Sequence, residues 1–160
     1  MAKVYSDAEN VQAIAQRIIP MYHPELATAR IKYIYVDKGG TKSGRPVPGK
    51  IKKITGSLEY LLDCDFLFEV ALDQWNELTD RQRQALIDHL LERCTGEEDE
   101  STGDMKWVVR EPDVNEFAAI LRRHGAWNDD LSTFATVAKE IDDDSMVNEV
   151  VASTTVTQST

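Results

Sequence analysis

The stretch "LTDRQRQALIDHLLERCTG", Leu78 to Gly96, constrains the fold more than any other part of the chain. Thr79 is followed three residues later by Gln82. That is the pattern of a capping box, in which each side chain satisfies a backbone N–H at the helix start. Leu86, Ile87, Leu90, Leu91 and Cys94 then recur at helical spacing and form one apolar stripe. The spacing predicts a helix over residues 80–94, with Gly96 as its C-terminal stop. Such a stripe has to be buried against another layer of structure.

Alternating segments supply that layer. "RIKYIYV" sends Ile31, Tyr33 and Tyr35 to one face and reads as a strand. "KIKKIT", residues 50–55, reads as a second strand, expected to pair with the first. The segment between them, "DKGGTKSGRPVPGK", is Gly- and Pro-rich and long enough to be a mobile loop. "DFLFEVAL" is a third strand and "KWVVREP" a short extended segment. Upstream, Val11, Ile14, Ala15, Ile18 and Ile19 predict a helix over 7–19, ended by Pro20 and Pro24. Downstream, Asp113 and Glu116 make a second capping-box pattern, opening a helix through Phe117, Ile120 and Leu121 that stops at Gly125. "AWNDDLSTFATVAKEI" predicts a last helix with Leu131, Phe134, Val137 and Ile141 on one side. The layout is α+β: a small mixed sheet of three to four strands packed with an N-terminal helix, the central helix and two C-terminal helices. Residues 1–141 read as one domain. Residues 142–160, acidic and then Ser/Thr-rich, read as a disordered tail. Trp75, Trp107 and Trp127 are read as core and lid packing.

The charge excludes some functions. A formal net charge of −10 over 160 residues argues against general binding to nucleic acid or membrane. No apolar run approaches the ~18 residues of a membrane span. "MAKVYSDAEN" lacks the apolar core of a signal peptide, so the chain reads as cytoplasmic. Cys64 and Cys94 are expected as free thiols, and the acids flanking Cys64 disfavour it as a nucleophile. The charge is also uneven. Between residues 30 and 53 the sole acid is Asp37, and Lys38, Lys42, Arg45, Lys50, Lys52 and Lys53 form a candidate binding patch. A solvated loop is the plainer reading of such a run. As a patch, it is the one place where nucleic acid could act locally.

The order and wording of the segments resemble the phage metallopeptidase family, which is zincin-like. The matching pieces are "HPELATARIKYIYV", "GKIKKIT", "DFLFEV", "WNELTDRQRQALIDHLLERC" and "REPDVNEFAAILRRHGAWNDDLSTF". Together they cover most of residues 10–140. The resemblance implies that the central helix is the zincin helix carrying His-Glu-x-x-His. Two His at i and i+4 share one helical face and can grip Zn²⁺, while the Glu activates the bound water. In this chain His89 stands at the first His, Leu90 at the Glu and Arg93 at the second His. A further His implied by the resemblance falls on Pro112. Leu90 accepts no proton, and Arg93 places a permanent positive charge where the cation would sit.

No cofactor is therefore expected, and catalysis is expected to be lost from the former site His89, Leu90 and Arg93. If zinc is bound after all, the ligands are sought among His89, Glu92, Glu111 and His124, and the chain is then an active zinc peptidase with non-standard ligands. The bland reading of His89 is a rim residue partnered by Asp88, Glu92 or water. His124 suits a helix C-terminus, where a cation is favoured, and His23 beside Pro24 reads as a turn residue. The expected partner is a host or phage protein, met in the host cytoplasm, including a component of host defence or a nucleic-acid enzyme.

Overall fold

The structure, a computed structural model, describes residues 2–142. The chain falls into two compact units, Met1–Glu111 and Pro112–Thr160. The boundary lies inside the range 1–141. Residues 143–160, which carry nearly all of the expected tail, lie outside the described residues.

The first unit runs β1 (Tyr5–Asp7), α1 (Glu9–Tyr22), a 3₁₀ turn (Pro24–Leu26), β2 (Ile31–Val36), β3 (Thr41–Lys42), β4 (Arg45–Pro46) and β5 (Gly49–Lys53). It continues through α2 (Ser57–Leu62), β6 (Phe66–Ala71), α3 (Leu72–Glu77), α4 (Asp80–Glu92), β7 (Cys94–Glu98) and β8 (Met105–Val109). This is α+β, as the sequence predicts. The main sheet has the order β1-β2-β6-β5. β6 is parallel to β2, while β1 and β5 are antiparallel to their neighbours.

The expected pairing of β5 with β2 is overturned, because β6 lies between them. The reason is burial. β6 is apolar almost throughout and buried at five of its six positions, so it takes the centre, where both edges are paired. β5 carries Lys50, Lys52 and Lys53, and charged side chains suit an edge. The register puts Tyr33, Phe68 and Ile51 in one row on the core face. The Tyr33 and Phe68 rings meet edge to face, with centroids 5.3 Å apart. The expected long loop carries the small β3–β4 hairpin.

α1 and α4 cover this face. Val11, Ala15 and Ile18 are the buried stripe of α1. The helix does not stop at Pro20 as expected but runs to Tyr22. Pro20 removes one N–H, whose partner would be the carbonyl of Gln16. Gln16 is exposed, so water can take that carbonyl. The end is closed instead by the His23 N–H on the Ile19 carbonyl at 2.8 Å.

In α4 the capping box forms as predicted: Thr79 Oγ1 accepts from Gln82 N at 3.2 Å, and Gln82 Oε1 accepts from Thr79 N at 2.9 Å. Ile87, Leu90 and Leu91 are its buried residues. Gly96, however, is not the helix stop. α4 ends at Glu92, and Gly96 lies in β7 opposite Trp107 of β8. A Cβ at Gly96 would sit 2.5 Å from the indole ring. The glycine is needed for that close approach rather than for a helix end.

The second unit contains α5 (Ala118–His124), closed at Gly125 with φ +67°, and α6, a helix entered at residue 129 that continues to residue 142. Asn128 Oδ1 caps α6 by accepting from Leu131 N at 2.9 Å. The Asp113/Glu116 capping box does not form. Phe117 stands at the start of α5, and Glu116 accepts from the Phe117 N–H at 2.8 Å and from the Trp127 indole at 3.2 Å. Trp75 and Trp107 are buried in the core, whereas Trp127 is exposed, so the reading as core and lid packing is corrected for Trp127. On α6 Leu131 is buried, while Phe134, Val137 and Ile141 are exposed. No helix among the described residues is long and apolar enough to cross a membrane.

Candidate functional site

The capping box and the buried stripe together set the rotation of α4. With Ile87, Leu90 and Leu91 turned inward, His89 is left exposed. Among the described residues no hydrogen bond or ion pair reaches it. Leu90 is 2 % exposed and packs against β5, where a Cβ on Gly49 would lie 2.8 Å from Leu90 Cδ1. Arg93 stands four residues after His89, on the same side of the helix. Its Nε donates to the Arg110 carbonyl at 3.2 Å, and its guanidinium lies 3.4 Å from Glu111 Oε1. Arg93 thereby ties the end of α4 to the segment after β8.

The carboxylates expected beside His89 turn instead to His23. That ring is 1 % exposed. Its Nε2 lies 2.6 Å from Asp88 Oδ1, and its Nδ1 lies 3.5 Å from Glu92 Oε2. Asp88 and Glu92 are one turn apart, so the imidazole sits between them. Arg110 completes the group, donating from Nε to the Glu92 carbonyl at 2.9 Å and pairing its guanidinium with the Glu92 carboxylate. His23 does close α1, but it is no mere turn residue: it is the buried centre of a cluster drawn from three parts of the chain. The available signal in the sequence is the i, i+4 spacing of Asp88 and Glu92 beside an apolar stripe, which calls for a cationic or hydrogen-bonding partner.

The other candidates are scattered. Glu92 is engaged with His23 and Arg110, and Glu111 with Arg93. Pro112 and His124 belong to the second unit. Among the described residues no group of three His, Cys, Asp or Glu side chains forms a set that could hold a metal ion. The basic residues are exposed but do not lie on one surface. Lys50 and Lys52 project from the sheet face opposite the core, with Lys52 Nζ 2.9 Å from Glu69 Oε2. Lys53 is in register with Phe66, on the other face, and Lys38, Lys42 and Arg45 belong to the β3–β4 segment. Both thiols are buried. Burial pushes Cys94 up to about 12 despite Arg93, and burial, more than the flanking acids, raises Cys64. Neither is an activated nucleophile.

A family model described as "Putative phage metallopeptidase" matches residues 3–139. The chain belongs to the phage metallopeptidase family. No protein of curated function and no solved structure matches the chain. The metal that the family description implies can be tested against the donors present. At the three helix positions the chain offers one imidazole, one buried alkyl group and one guanidinium. Catalytic zinc takes three protein donors and leaves one position open. Residues 89, 90 and 93 do not fit that group.

Proposed function

We propose that this chain keeps the phage metallopeptidase scaffold without its hydrolysis and works by binding a host or phage protein in the host cytoplasm. The carrying observation is Leu90. Where the family resemblance calls for a general base, an alkyl side chain is packed against Gly49 at 2 % exposure. A buried alkyl group can neither accept a proton nor hold an attacking water. Arg93, tied to Arg110 and Glu111, brings a fixed positive charge to the second ligand position. The net charge of −10 favours a protein partner over nucleic acid. The test is elemental analysis of the purified protein. Less than a tenth of a zinc per chain is expected. About one zinc per chain, lost on His89→Ala, would overturn the reading in favour of a zinc peptidase with non-standard ligands.

A further inference from the structure

α2 buries none of its residues. Leu58 is 54 %, Leu61 72 % and Tyr60 87 % exposed. Four of the six residues are large and apolar, counting the less exposed Leu62, and none is buried in the core; such a patch marks contact with something else. Yet the helix is firmly held. Arg30, just before β2, donates to Glu59 at 2.9 Å, Asp63 at 2.6 Å and Asp65 at 2.8 Å. Two of these acceptors, Glu59 and Asp63, belong to α2 and its C-terminal cap. Asp65 anchors the guanidinium from below, being almost fully buried and accepting also from the Arg30 backbone N–H at 2.8 Å. A short helix that could fray at no cost to the core is instead fixed by a guanidinium fork among three carboxylates. Preorganisation of this kind lowers the entropic cost of binding.

The electrostatics select the occupant. Around α2 three carboxylates surround one guanidinium, leaving negative charge in excess. The adjoining groove, about 440 Å³, brings Asp99 and Asp104 toward Glu59 and Asp65 against Lys53 and Lys106. We propose that α2 docks into an apolar pocket rimmed by Arg or Lys on a partner protein, with Leu58, Tyr60 and Leu61 as the inserted side chains. Nucleic acid and anionic lipid would be repelled by the same carboxylates. A two-fold contact between copies of this chain would bring two acidic rims of this kind together.

This deepens the binding reading above, but its test is separate. The photo-crosslinker p-benzoylphenylalanine replaces Tyr60 in the full chain, expressed in the host, and adducts are mapped by mass spectrometry. The expected result is one dominant adduct whose crosslinked residue lies in an apolar pocket flanked by Arg or Lys. Leu61→Glu and Asp63→Lys, each checked for folding by circular dichroism, should lower its yield at least tenfold. An adduct with a second copy of this chain, with lipid or with nucleic acid overturns the proposal. So does an adduct that is insensitive to both changes, or none at all. A chain that held zinc and cleaved peptides yet gave the expected adduct would lose the binding-only reading and keep this one.

Discussion

His23 Nε2 lies 2.6 Å from Asp88 Oδ1, across 65 residues of chain. The contact joins the end of α1 to the last turns of α4. His23→Ala leaves a cavity at a fully buried position and strips Asp88 and Glu92 of their shared partner. We expect it to destabilise the fold by about 2–4 kcal/mol in urea unfolding. Asp88→Ala should cost less, because the Asp88 side chain is 43 % exposed and water can replace part of what is lost. In a double-mutant cycle the pair should show coupling of about 0.5–3 kcal/mol. Additive losses would mean that the ring is held by packing alone.

Much of the first unit could be read from its sequence, and what was missed has a common cause. The capping box, the stripe of α4 and the strands β2 and β6 rest on patterns within ten or fifteen residues. β7 does not: "CTGEE" has no strand pattern, and it is extended because β8 pairs with it and Trp107 lies over Gly96. The place of β5 at the edge depended on competition with β6 for the centre. At the site, the exposure of His89 and the burial of Leu90 followed from the stripe. The His23 cluster did not, since its members come together only when α1, α4 and the end of β8 are packed.

Gly96 tests that account. A Cβ there would meet Trp107 Cε3 and Cζ3 at 2.5 Å and Met105 Cε at 2.9 Å. Gly96→Ala should therefore destabilise by about 1–3 kcal/mol through overpacking and alter tryptophan fluorescence. If Gly96 acted as a helix stop, alanine would be tolerated and would extend α4, raising the helical signal in circular dichroism.

Asp65 predicts an acid sensitivity. Burial works against its charged form, but the Arg30 guanidinium and backbone N–H hold the carboxyl below the usual carboxylate range. A group depressed in the folded state binds its proton more weakly there than in the unfolded chain. Its stabilisation is thus complete above the unfolded value near 4 and is lost as pH falls through the lower folded value. Asp65→Asn should cost about 1–3 kcal/mol at neutral pH and flatten stability against pH below about 4. An unchanged pH profile would show that the Arg30 group contributes no acid sensitivity.

The proposal that hydrolysis is lost can be tested by restoring the motif. Leu90→Glu with Arg93→His rebuilds His-Glu-x-x-His on α4, and Pro112→His adds the third ligand that the family resemblance implies. Three protein donors with one open position are what catalytic zinc uses. Binding to the folded state alone stabilises by about 2.7 kcal/mol at a hundredfold excess over the dissociation constant. Zinc should therefore raise the melting temperature of the triple variant and leave that of the natural protein unchanged. Leu90→Glu places a carboxylate against Gly49, at a position 2 % exposed, and should itself cost about 1–3 kcal/mol. The comparison is therefore made within each variant, with and without metal. A folded triple variant without a zinc-dependent shift would mean that positions 89, 93 and 112 do not converge, and the residue-by-residue match to the family's ligands would fall. A shift in the natural protein would instead locate a working metal site that Leu90 and Arg93 did not abolish, and His89→Ala in that background would show whether the exposed imidazole is one of its ligands.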